Sequence, residues 1–187
     1  MNISKAIYFV DRKDWRQWLK KNHKKAREIW LIYYKAASGK PRIPYNDAVE
    51  EALCFGWIDS TVKSIDDEKF AQRFTPRNPK SHASEPNKER IRKLIKQRKM
   101  TKDGLHAVRN SFNAQEKIKL VIAKDILNAI KSNKAIWENF KKFPECYKRI
   151  RILYIENRIT HSKEMFEKSL AYFIKMTSKN KKFGMLR

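Results

Sequence analysis

Hydrophobic positions along the chain change period several times, and the changes mark its elements. Ala6 to Val10 is a short apolar, β-branched and aromatic run that reads as a buried strand. Asp11 follows as a helix cap. Trp15, Trp18, Leu19 and Asn22 then recur at i, i+3, i+4 and i+7, which predicts an amphipathic helix whose stripe carries both tryptophans. Glu28 to Tyr34 (EIWLIYY) is almost continuously apolar and reads as a central strand covered on both faces. Asn46 is expected to cap a helix that buries Ala48, Val49, Ala52 and Leu53, with Gly56 placed where a left-handed C-terminal residue is needed.

Thr61–Ile65 reads as a strand that turns at Asp66-Asp67-Glu68 into Lys69–Thr75. In that second run, period two sends Phe70, Gln72 and Phe74 to one side and Arg73, Thr75 and, were the strand to persist, Arg77 to the other. Pro76 and Pro79 end it. Ser84 can cap a helix that opens at Pro86 and carries a narrow stripe of Ile91, Leu94 and Ile95. Thr101 caps a further helix through Leu105, Val108 and Phe112, with Gly104 an unexplained weak point inside it. Asn110–Gln115 reads as a linker. Beyond it, Lys117–Lys131, Lys134–Lys142, Glu145–Asn157 and Glu164–Met176 all carry helical spacing.

The pattern therefore predicts an α+β protein: a small mixed sheet with flanking helices over residues 1–112, followed by an all-helical C-terminal part over 116–187. An apolar fraction of 41% supports folded cores rather than disorder. Cys54 and Cys146 show neither metal-ligand nor disulfide spacing, so no metal and no cofactor is expected. The absence of a signal-like segment or a long apolar run points to a cytoplasmic protein. Gly39-Lys40 lacks the upstream glycine of a phosphate-binding loop.

Charge changes the picture. With 44 Lys and Arg against 20 Asp and Glu, the net charge of +24 implies either solvated charge on every exposed face or an anionic partner. Residues 77–102 concentrate basic side chains around one predicted helix start, where free N–H groups attract anions. The candidate site combines Trp57, Asp59, Arg73, Thr75, Arg77, Ser81, Ser84, Asn87 and Arg90. Guanidinium forks and hydroxyls would grip phosphate or carboxylate, and Trp57 would offer a ring face. The same residues also fit a structural arrangement in which Asp59 pairs with Arg73 or Arg77 and Trp57 is core.

Two segments carry a resemblance: EALCFGWIDS (Glu51–Ser60) and QRFTPRNPKS (Gln72–Ser81), followed by Asn87-Lys88-Glu89-Arg90 and Arg98-Lys99-Met100-Thr101. With them the chain resembles the YdeI/OmpD-associated, or bacteriocin-protection, family, and the likeness extends through Phe140–Arg151 and Phe173–Gly184. It implies a role in envelope stress or bacteriocin tolerance, and no particular reaction. The chain departs from that pattern at Ala83, where such proteins usually carry tryptophan.

The sequence therefore points to a binding protein for a small anionic ligand and leaves enzymatic activity open. Asp59 beside arginines is poorly placed as a base, and Ser81, His82 and Ser84 lack an orienting third group. The alternative is non-specific nucleic-acid binding by basic helices, through Arg90, Arg92, Lys93, Lys96 and Arg98 and through Tyr147, Lys148, Arg149 and Arg151. A peripheral contact with anionic membrane is a third possibility.

Overall fold

The computed structural model describes residues 6–110, 112–113 and 120–184. Two compact units divide the chain, Met1–Ala114 and Gln115–Arg187. The fold is α+β: a small mixed sheet with helices, then a helical C-terminal part.

The first unit runs β1 (Ile7–Tyr8), α1 (Arg12–Asn22), β2 (Ile29–Tyr34), α2 (Tyr45–Cys54), β3 (Trp57–Ser64), β4 (Lys69–Pro76), α3 (Glu85–Lys96) and α4 (Lys102–Val108). Its sheet has the order β1-β2-β4-β3, parallel between β1 and β2 and antiparallel elsewhere. β2 is central, as its apolar run predicts. β1 is not the buried strand expected: only two residues pair, Ile7 is exposed, and Phe9 is the residue that reaches the core. The strand is cut short because the Asp11 carboxylate accepts from the N–H groups of Lys13 and Asp14 and turns the chain into α1.

One face of the sheet carries the core. Register places Ile29, Leu31 and Tyr33 of β2 opposite Phe74, Gln72 and Phe70 of β4, and most of this row packs against Trp15 and Leu19 of α1, Val49 and Leu53 of α2, and Ile91 and Leu94 of α3. The cap expected at Asn46 lies two residues earlier, because α2 starts at Tyr45 and the Pro44 carbonyl accepts the first helical bond, from Ala48. Proline's fixed φ suits that position. Gly56 has φ +77, the left-handed conformation its place after α2 requires.

Gly104 acquires a reason. Thr101 fastens the start of α4 to the end of α2: its N–H and Oγ1 both donate to the Cys54 carbonyl, at 3.0 and 2.7 Å. A Cβ at Gly104 would collide with that same carbonyl. The helix accepts a glycine, at about 1 kcal/mol relative to alanine, because the two backbones touch there. α4 ends at Val108, short of the expected Phe112.

The second unit comprises α5 (Lys124–Lys131), α6 (Lys134–Lys142), α7 (Glu145–Ile159) and α8 (Lys163–Ser178). Ile126, Ile130, Phe140, Ile152, Ile155 and Phe173 form its core. α5 is shorter than its apolar spacing suggests. Leu120–Ala123 are not helical, and the Ala123 N–H donates to Glu156 Oε1 at 3.2 Å instead of to a helical carbonyl. Residues 117–119 of the expected helix, and 111, 114 and 115 of the expected linker, lie outside the described residues.

Candidate functional site

The β-ribbon of the first unit carries four of the nine predicted site residues and sorts them by sheet face. Asp59 pairs in register with Phe74 and so faces the helices, as does Trp57 opposite Pro76. Arg73 and Thr75 alternate with Phe74 and therefore face the other way. There Arg73 is already engaged, donating through Nε and Nη2 to Glu28 Oε2 at 2.8 and 2.5 Å. That bond outweighs a small burial penalty and holds the Glu28 carboxyl below its usual range. Arg73 and Thr75 thus do not join the start of α3, since the sheet lies between.

Trp57 offers no ring face to a ligand. It is 1% exposed, stands edge-on to Trp18 at 5.9 Å, and donates its indole N–H to the His23 carbonyl at 3.1 Å. The loop after β4 is also internally committed. The Arg77 N–H bonds the Gly56 carbonyl at 2.8 Å, and its Nη2 bonds the Ser81 carbonyl at 2.7 Å. Ser81 Oγ donates to the Asn78 carbonyl at 2.7 Å. Ser84 holds the N-cap position of α3, yet its side chain makes no capping bond and is exposed. Ala83, where the resembling family has tryptophan, points inward and is buried.

Three predicted residues do meet, and they gather partners that hydrophobic patterning gave no sign of. Arg90, on α3, is 4% exposed. Its Nη1 donates to Asn87 Oδ1 and its Nη2 to Asn46 Oδ1, both at 2.8 Å, while its buried Nε–H has no hydrogen-bond partner. Beside it, Tyr45 at the start of α2 donates its hydroxyl to Asp59 Oδ2 at 2.6 Å. Tyr33, on β2, is 2% exposed, and its hydroxyl has no hydrogen-bond partner.

The electrostatics follow from burial. Burial pulls the Arg90 guanidinium below its ordinary value, and the nearby Tyr45, Asp59 and Glu50 only partly oppose it. Burial first, and then the bond to Asp59, push the Tyr45 phenol upward, so it stays a donor at neutral pH. Burial does the same to Tyr33, with smaller influences from Tyr45, Arg42 and Asp59. The cluster is a buried cation held by two neutral amide oxygens, with the Asp59 and Glu50 carboxylates and the Tyr45 phenol nearby, and with Tyr33 beside Tyr45 and Asp59.

Nucleophilic chemistry finds little footing around it. Cys54 is buried, and burial pushes its thiol up to about 11. Among the described residues, no three His, Cys, Asp or Glu side chains gather as a metal site would require. None of the described helices is long and apolar enough to cross a membrane.

A family model described as a domain of unknown function, DUF8412, matches residues 7–107, the segment that holds the whole sheet and the Arg90 cluster. No curated protein and no solved structure matches the chain.

Proposed function

The chain belongs to the DUF8412 family, and from that premise and the geometry around Arg90 we propose that it binds a small ligand through a phosphate or carboxylate group. The carrying observation is that a 4%-exposed guanidinium makes its hydrogen bonds to amide oxygens rather than to carboxylates. Buried cations are ordinarily matched by an acid. Here Asn46 and Asn87 hold the fork, and an anion that displaced their oxygens would exchange neutral hydrogen bonds for charge-assisted ones about twice as strong.

The remaining donors suit the same ligand. Arg90 has five N–H groups and uses two bonds. The Tyr33 hydroxyl supplies another donor, and Tyr45 keeps the Asp59 carboxylate occupied, which limits its repulsion of an incoming anion. Each charge-assisted bond contributes about 1.5–3 kcal/mol, so a few of them correspond to roughly millimolar to micromolar affinity. The resemblance to YdeI/OmpD-associated proteins supports placing such binding in envelope stress or bacteriocin tolerance.

Thermal shift with inorganic phosphate, nucleotides, sugar phosphates and carboxylates tests the reading. Some phosphate- or carboxylate-bearing compound should raise the Tm of the wild type by several degrees at saturation. Arg90→Met should abolish that shift and Tyr33→Phe reduce it, while Arg73→Ala, on the other sheet face, should keep it. An Arg90→Met protein that responds like the wild type would overturn the proposal, as would a wild type that responds to no anion.

A further inference from the structure

The helical unit carries a second cationic surface built on a different plan. Of the basic residues that the sequence marks in α7, Lys148 and Arg149 are buried, and Tyr147 is buried with its hydroxyl accepting the Phe183 N–H at 3.2 Å. At i, i+3 and i+7 along the helix stand Arg151, Tyr154 and Arg158: Tyr154 is exposed, the two arginines are half-buried, and the Arg151 Nε is fully covered. The Arg158 guanidinium lies 4.5 Å from the centre of the Tyr154 ring and donates to its hydroxyl. The Arg151 guanidinium lies 5.4 Å from that ring and 5.2 Å from the Phe183 ring. Gly184, at φ +89, packs directly on the Arg151 fork, where any Cβ would come within 2.7 Å of Nη1.

Phe183 also stands edge-on to Tyr172 of α8 at 4.8 Å. The segment that places it begins with Lys181 and Lys182, both exposed. One surface therefore joins three cations, Arg158, Lys181 and Lys182, to two outward tyrosines, Tyr154 at 43% and Tyr172 at 49% exposure. Among the described residues the unit's ion pairs are Lys141–Glu138, Lys148–Glu145, Lys163–Glu167 and Lys168–Glu164, and none engages Arg151, Arg158, Lys181 or Lys182.

We propose that this surface, formed by Tyr154, Arg158, Tyr172, Lys181 and Lys182 and braced from beneath by Arg151, binds single-stranded nucleic acid. The Arg158 guanidinium, held beside the Tyr154 ring, keeps further N–H groups for phosphate oxygens. Exposed rings stack unpaired bases, which a duplex hides. The excess of positive charge makes the backbone contact sequence-tolerant and dependent on salt. The surface lies in the second unit and does not depend on the Arg90 cluster.

Fluorescence anisotropy of the full chain with labelled oligo-U and oligo-dT of about 20 nucleotides, titrated between about 50 and 200 mM salt, tests it. The triple variant Arg158→Ala/Lys181→Ala/Lys182→Ala should bind about tenfold more weakly, with the salt slope reduced by about two. Tyr172→Ala should weaken binding about tenfold with the slope unchanged. A control triple of Lys124→Ala/Lys131→Ala/Lys134→Ala should bind like the wild type. The proposal falls if the control triple loses as much as the test triple, if a duplex of equal length binds as tightly as the single strand, if phosphatidylserine vesicles bind and the oligonucleotides do not, or if nothing binds.

Discussion

Arg12 and Arg90 both dock against α2 and are compensated in opposite ways. Arg12 meets three carboxylates, Asp47 at 3.1 Å, Glu50 at 3.0 Å and Glu51, and Arg16 shares Glu51 with it. Burial would lower the Arg12 pKa, but Glu51 and Glu50 outweigh it and the value rises. Arg90 meets two amides, and burial wins. The first arrangement clamps α1 to α2 with its charges matched; the second keeps a cation in the interior with acceptors that an anion can replace. Stability and recognition separate along that line, and three substitutions test whether they do.

Glu51→Gln has the largest expected effect. It neutralises a 2%-exposed carboxylate and leaves both Arg12 and Arg16 short of their partner. The cost should be about 3 kcal/mol, the low end for breaking a buried pair because both guanidinia keep some solvent. Urea unfolding measures it, and a loss under about 1 kcal/mol would mean that water, not Glu51, carries those charges.

An intermediate effect is expected from acid. Burial alone would raise the Glu50 carboxyl, yet Lys93 and then Arg12 outweigh it and hold its pKa below the usual value. A depressed carboxylate adds stability that is complete above its unfolded pKa, about 4.3, and disappears as pH falls through the folded value. Glu50→Gln should therefore flatten the fall of Tm below about pH 4.5 while lowering Tm near neutrality. Parallel acid profiles for the two proteins would remove Glu50 from the clamp.

Tyr33→Phe should change stability least, within about 0.5 kcal/mol, because the deleted hydroxyl is buried without a hydrogen-bond partner. A loss above about 1 kcal/mol would assign that hydroxyl a structural bond and blur the contrast between the two arginines.

Much of the scaffold was legible because hydrophobic period and caps are local. α6 spans Lys134–Lys142 as its spacing predicts, and Asp11 and Thr101 cap the helices they precede. The ribbon of β3 and β4 was read correctly in its alternation, with Phe70, Gln72 and Phe74 on one side and Arg73 and Thr75 on the other. The site was read less well for the same reason: alternation says that two rows separate, not which row meets a helix. Asp59, Asn87 and Arg90 were among the candidates, and the fold brings them together; Tyr33, Tyr45 and Asn46 were not, since a tyrosine ending a strand and an asparagine opening a helix look the same whether they serve a site or a turn.

By itself the sequence determined the fold class, the order of the elements and the excess of positive charge, all of which follow from short-range periodicity and composition. Only the tertiary structure decided which cations are neutralised. Arg73 finds Glu28, Arg12 finds Glu51 and Arg90 finds amides, because partners 45, 39 and 44 positions apart are brought together by strand register and helix packing, which no local pattern encodes.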